Sequence, residues 1–238
     1  MLEKPSAYFA EHLDFNNYGF RRNQWAVWTD HPEFLEYEGK SILLVCGGGT
    51  ARGVTEDMLR RYDYVWSMNH FFKHELLKDY PIDLCMINAE VLNFSLKGLK
   101  SYLARFNPLV GFEHARSLTS RRKIIKSIHN NPRKFCMHTS LYNQTGYGTR
   151  MIIFAGVLKA HRVDFIGMDG AQAILNKDHA FQPNKNRLPG GGNVNRSNAH
   201  SVFLRQYDTT WKYIRTHFPA LEIENLAYDD NVYHRGLQ

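Results

Sequence analysis

The sequence predicts an α/β fold: a doubly wound, mostly parallel sheet with a lid loop. Three observations predict it. From residue 41 onward, short apolar runs alternate with stretches of helical spacing. The first of these runs is followed directly by three glycines, Gly47, Gly48 and Gly49. One long polar segment, 176–198, interrupts the alternation late in the chain.

Residues 1–40 are rich in aromatic side chains and show no long period, which describes an arm packed over a core or a second subunit rather than a domain. Residues 41–238 form the second unit. Its first strand is the continuous apolar run 42–46, the pattern of a strand buried on both faces. A helix follows over 54–61, then a strand at 64–68, a helix over 71–78 and a strand at 83–87. Leu92, Leu96, Leu99 and Leu103 keep helical spacing across 91–106. Short runs at 109–112 and 135–138 predict two more strands, with a basic helix between them. Residues 148–161 carry little charge and predict a helix buried on most sides, leading into a central strand at 163–167. A long amphipathic helix at 202–217 is stopped by Pro219, and 221–225 is the last strand. There is no internal repeat.

At 238 residues the chain suits one domain with a small appendage. Its 43% apolar content is ordinary for a globular protein, and no apolar run approaches the ~20 residues of a membrane span. The first residues lack a signal peptide's apolar centre. The three cysteines each sit inside an apolar run, as buried thiols do, so a cytoplasmic location is expected. The net charge of +7 favours polyanionic partners. Arg116, Arg121, Arg122, Lys123, Lys126, Arg133 and Lys134 concentrate that charge in one segment. It reads either as a solvated helix face or as a patch meeting phosphates of DNA or a phosphorylated glycan.

In open α/β sheets, ligands bind outside the carboxyl ends of the strands. The residues expected there are Gly47, Gly48, Gly49 and Thr50 after the first strand, then Asn69 with His70 after the second. Asn88 and Glu90 follow the third. Thr145, Gly146, Tyr147 and Gly148 open the buried helix, and Asp169 follows the sixth strand. Glycines permit close approach of backbone to ligand, and free N–H groups at a helix start attract phosphate. This Rossmann-like turn lacks the lysine of a P-loop and the G-x-G-x-x-G spacing of a dinucleotide site. The set is polar rather than acidic, which suits a ribose, a base and a phosphate without a metal cluster. Plainer roles stand beside these: Asn69 and Asn88 as helix caps, Asp169 as a turn former, the glycines as chain reversal, 176–198 as a surface excursion.

In this order the residues resemble the bacterial sialyltransferases of glycosyltransferase family 42, and more distantly the wider group containing pterin pyrophosphokinase-like proteins. Gly47 to Ala51 stand where that family has Gly-Asn-Gly-Pro-Ser. Asn69, His70 and Phe71 match Asn-Gln-Phe, and Asn88 matches an asparagine ending the third strand. Thr145 to Gly148 match a Thr-Ser-Gly loop, and Gly167, Met168 and Asp169 match Gly-Ile-Asp. His179, Ala180 and Phe181 match Tyr-Ala-Phe, and His200 matches a histidine that precedes a long helix.

The resemblance implies a single-domain GT-A-like variant that transfers a sugar from a CMP-activated donor and requires no cofactor beyond that nucleotide sugar. It implies that Asn69 and Asn88 hold the nucleotide and its phosphate. The glycine turn and Thr145 to Gly148 would shape the nucleotide pocket. It makes His179 a hydrogen-bond donor to the leaving phosphate and His200 the general base toward an acceptor hydroxyl. Three positions depart from the family: Gly48 replaces an asparagine, Ala171 a second tyrosine, and Gln144 an arginine. The nucleotide end is thus better kept than the sugar end, and sialic acid itself is not implied. Two other functions remain open from the residues: an ATP- and magnesium-dependent diphosphokinase using Asp169 and Asp178, and a non-catalytic nucleic-acid-binding module.

Overall fold

A computed structural model describes residues 32–88, 91, 96–112, 133–136, 145–171, 179–182 and 197–227. Its centre is a seven-stranded sheet in which every neighbouring pair is parallel. The strands are β1 (Ser41–Val45), β2 (Tyr64–Met68), β3 (Leu84–Met86), β4 (Leu109–Phe112), β5 (Lys134–Cys136), β6 (Arg162–Ile166) and β7 (Glu222–Asn225). Their order is β5-β4-β3-β2-β1-β6-β7. The chain therefore winds outward from β1 to β5, returns to the other side of β1, and winds outward again. That reversal between β1 and β6 is the switch point where such sheets open a crevice.

Residues in register share a face of the sheet. Trp66 lies beside Leu44, and Leu44 beside Phe165. Helices α3 (Tyr147–Val157) and α4 (Ala199–His217) cover this face. Phe154 of α3 lies 5.8 Å from Trp66 and stacks on Phe135 at 5.5 Å. Trp211 of α4 stacks on Phe165 at 6.1 Å. The opposite face is covered by α2 (Leu96–Phe106), whose Tyr102 meets Phe71 edge-on at 4.7 Å. The continuous apolar runs that predict the central strands exist because both faces are dry.

The short 3-10 helix Pro32–Tyr37, at the end of the predicted arm, packs over the core. Phe34 contacts Phe135 and Phe154, and Tyr37 contacts Tyr64 and Trp66. The rest of the arm, residues 1–31, lies outside the described residues.

Three predicted helices differ, and the one over 148–161 ends at Val157, before Lys159 with its left-handed φ of 58. Over 54–61 the helical part is shorter, α1 (Glu56–Arg60), because Thr55 caps it by accepting the Met58 N–H, and a 3-10 helix Gly49–Gly53 precedes it. The predicted helix over 71–78 is replaced by two 3-10 turns, Phe71–Lys73 and Leu77–Asp79. His74 parts them with extended backbone, φ −72 and ψ 137. Its side chain draws in the Leu76 and Leu77 N–H groups, and such local capture of backbone donors competes with a helix.

Candidate active site at the switch point

Beyond the ends of β1 and β6 the glycine turn closes on the turn that follows β6. Gly48 N–H donates to the Gly167 carbonyl at 2.7 Å. Thr50 binds Asp169 twice: its hydroxyl donates to Oδ1 at 2.5 Å and its N–H to Oδ2 at 2.9 Å. The same hydroxyl accepts the Gly167 N–H at 3.0 Å. Gly167 itself has φ +80, a left-handed conformation that glycine adopts freely.

This closure changes what the turn offers. The Gly48, Thr50 and Ala51 N–H groups all donate within the protein, Ala51 to Gly48 O at 3.1 Å. The sequence expectation of a helix start with outward amides therefore does not hold for these three groups. What the glycines supply is proximity. A Cβ on Gly48 would stand 2.4 Å from Asp169 Oδ2, and a Cβ on Gly47 would stand 2.4 Å from the His179 ring.

His179 arrives from the segment between β6 and α4. It forms an isolated antiparallel bridge with Gly48, and Ala180 N–H donates to Gly47 O at 2.9 Å. Phe181 N–H donates to His179 Nδ1 at 3.2 Å, so this nitrogen accepts and the neutral ring carries its proton on Nε2. Phe181 is fully buried and anchors the segment. Of the predicted lid, 179–182, Ser197 and Asn198 are described, and the remainder lies outside the described residues.

Asn69 and Asn88 stand side by side at the ends of β2 and β3. Asn69 occupies the left-handed region, φ 52, which asparagine tolerates. Its Oδ1 accepts the Asn88 N–H at 3.0 Å, and Asn88 Oδ1 accepts the Val91 N–H at 3.2 Å. Both oxygens therefore serve as local caps, and each amide is oriented with its NH2 turned the other way. Next to Asn69, buried His70 faces the Gln182 amide, with Nε2 to Nε2 at 3.4 Å.

The loop of Thr145 and Gly146 leads into α3. A Cβ on Gly148 would stand 2.7 Å from Met168 Sδ and 3.0 Å from Cys46 Sγ, so the start of α3 lies over the ends of β1 and β6. Arg150 Nη1 donates to Thr145 O at 2.7 Å, and its guanidinium sits 4.7 Å over the Tyr147 ring. The Thr145 hydroxyl oxygen and Gln182 Oε1 are buried and make no hydrogen bond among the described residues. Cys46 is buried, and burial, with the Asp169 charge adding to it, pushes its thiol pKa far up and favours the protonated form.

His200 is exposed at the second position of α4. Tyr207 O–H, on the same helix, donates to Met168 O at 3.2 Å, next to Asp169. A spacing of seven places His200 on the same helix face, roughly 10 Å along the axis. Of the predicted residues, contacts thus join Gly47, Gly48, Thr50, Asp169 and His179 into one cluster, while Asn69 and Asn88 form a second. Sequence reasoning did not single out His74, Arg150 or Tyr207, whose partners are distant or lie on the backbone.

Among the basic residues, Arg133 is half-buried and paired with Glu33. Lys134 begins β5, and Arg116, Arg121, Arg122, Lys123 and Lys126 lie outside the described residues. Among the described residues there is no cluster of His, Cys, Asp and Glu that could hold a metal ion, and no helix long and apolar enough to cross a membrane.

No protein-family model and no curated protein matches the chain. Solved structures do share its fold. The monofunctional α-2,3-sialyltransferase Cst-I from Campylobacter jejuni is 13% identical with a TM-score of 0.56, over 90% of this chain and 82% of that one. An α-2,3-sialyltransferase from Campylobacter jejuni in apo form is 12% identical with a TM-score of 0.51, over 83% and 79%. The sialyltransferase CstII from Campylobacter jejuni, in complex with cytidine-5'-monophosphate, is 10% identical with a TM-score of 0.53, over 84% and 87%. The family that the sequence motifs resemble is thus one whose fold this chain shares.

Proposed function

We propose that the chain is a glycosyltransferase that moves a sugar from a CMP-activated donor to an acceptor hydroxyl. One observation carries the reading: His179 bridges the glycine turn at the switch point of a fold shared with a sialyltransferase solved with cytidine-5'-monophosphate. The donor's phosphate belongs beside His179 Nε2–H and the NH2 groups of Asn69 and Asn88. Its nucleoside lies against Gly47 to Thr50 and the loop of Thr145, Gly146, Tyr147 and Gly148, where it meets the Thr145 hydroxyl, buried and without a hydrogen bond among the described residues. Asp169, through Thr50, holds the turn in shape.

In the reaction the acceptor oxygen bonds to the anomeric carbon, and the bond from that carbon to the phosphate oxygen breaks. The electron pair leaves on CMP, where the His179 N–H meets the growing charge. The hydroxyl proton passes to the imidazole of His200. The basic segment 114–134 favours a polyanionic acceptor such as hydroxymethylated DNA or a phosphorylated glycan.

The test is release of CMP from a panel of CMP-sugars, with hydroxymethylated DNA or phosphorylated lipooligosaccharide as acceptor. The reading expects release that depends on acceptor and falls steeply with salt. Release of no nucleotide from any CMP-sugar contradicts it.

A further inference from the structure

His74 is buried between the glycine turn and the segment that carries His179. Its Nε2 stands 3.0 Å from the Ala51 carbonyl oxygen, an atom that only accepts, so Nε2 carries a proton. Its Nδ1 stands 3.3 Å from both the Leu76 and the Leu77 N–H groups, so that nitrogen carries none. The ring meets Phe181 edge-on, centroids 5.9 Å apart at 81°. Phe181 in turn meets the His179 ring at 5.9 Å and donates its N–H to it. One imidazole therefore touches the 3-10 helix of the glycine turn and the residue that orients His179.

We propose that His74 is a positioning residue for the donor site: its neutral Nε2–H form holds the glycine turn and the His179 segment in register, and a second ring proton undoes that hold. The inference rests on the donor-site reading given above. A proton on Nδ1 would face two N–H donors, and those backbone groups would lose their acceptor inside the protein. The charged groups around the ring are Glu75, which favours its charged form, and Arg52 beside Ala51, which opposes it. Lys73, Lys78 and Asp79 on the flanking turns are exposed, and the His179 segment presents the Phe181 ring. Burial is the largest influence and holds the imidazole below the ordinary histidine pKa, in the direction the geometry demands.

The test begins on ligand-free, 15N-labelled protein. Near pH 7 the His74 ring is expected to show a bare Nδ1 and a protonated Nε2. On acidification, the amides of 47–53 and 179–182 move with the same midpoint as that ring. In His74→Asn, whose side-chain oxygen still accepts the Leu76 and Leu77 N–H groups, that shared transition is absent. A proton on Nδ1 near pH 7, or the same amide transition in both proteins, overturns the proposal. CMP affinity is then measured across the same range. The donor Kd is expected to rise about tenfold on acidification in the wild type and to stay flat in His74→Asn. Failure of CMP to bind at any pH overturns the donor reading itself. Binding with one pH profile in both proteins overturns the role of His74 alone.

Discussion

Thr50 and Asp169 are 119 residues apart, yet the Thr50 hydroxyl and N–H each donate to one oxygen of the Asp169 carboxylate, at 2.5 and 2.9 Å. This pair ties the turn after β1 to the turn after β6, the two walls of the crevice. Asp169 is also largely buried, so the charge-assisted bonds are poorly screened.

Replacing Asp169 by Asn leaves the volume unchanged but puts an NH2 group where Thr50 presents a donor. The expected cost is about 1–3 kcal/mol of folding stability, read from urea unfolding, with weaker nucleotide binding alongside it. Thr50→Val keeps the N–H bond but loses both bonds of the hydroxyl, the one to Asp169 and the one from the Gly167 N–H, and is expected to lose at least as much.

Gly48→Asn restores the residue that the sialyltransferase family carries, and it is expected to harm this protein. The new Cβ would stand 2.4 Å from Asp169 Oδ2 and 2.6 Å from Gly167 O, so the paired turns must part. A loss of about 1–3 kcal/mol is expected, with no gain in CMP affinity. Calorimetric titration of the variant with CMP checks both.

His179→Phe and His200→Ala separate the two proposed proton and charge roles. Loss of the N–H at the leaving phosphate is expected to lower kcat about 10²–10³-fold and to weaken CMP binding. Loss of the base is expected to lower kcat about 10²–10⁴-fold while CMP binding is unchanged. Steady-state rates paired with equilibrium CMP binding distinguish the variants.

Acid stability offers a check at the end of the sheet remote from the site, where β1 and β2 begin. Asp63 accepts the Ser41 N–H at 2.9 Å and the Ser41 hydroxyl at 2.8 Å, and these bonds hold its carboxyl below the usual aspartate pKa. A folded-state pKa below the unfolded one gives stability that is present above about pH 4 and lost as pH falls through the folded value. Asp63→Asn is therefore expected to be less stable than wild type near neutrality, and the gap is expected to close in acid. Melting temperatures from about pH 7 to about pH 3 measure it.

The alternation of apolar runs and helical stretches made the strands legible, because strands buried on both faces have no polar side to break the run. The run at 64–68 illustrates this, since Trp66 faces α3 and Ser67 hides by donating to Val45 O at 2.7 Å. Strand order is not written in such runs, and the return to the far side of β1 appears only in the folded chain. The glycines at 47–49 read in the sequence as a place where backbone approaches a ligand, and in the structure it is the His179 ring and Asp169 that approach Gly47 and Gly48. What was hidden is who fills it: Thr50 with Asp169, and Gly47 with His179, meet across more than a hundred residues. His74 was equally hidden, since a histidine inside an apolar stretch reads as one more helical residue until its ring is seen to hold backbone groups.

A CMP-sugar donor must leave its mark on folding stability, and a thermal-shift comparison of CMP, CDP, UDP, GDP, ADP and ATP, with and without magnesium, measures it. CMP is expected to raise the melting temperature by about 5 °C or more at concentrations well above its Kd, with or without the metal, since a ligand of the folded state alone must stabilise it. A shift that appears only with ATP and magnesium rules out the CMP-sugar donor and favours diphosphokinase chemistry using Asp169 and Asp178.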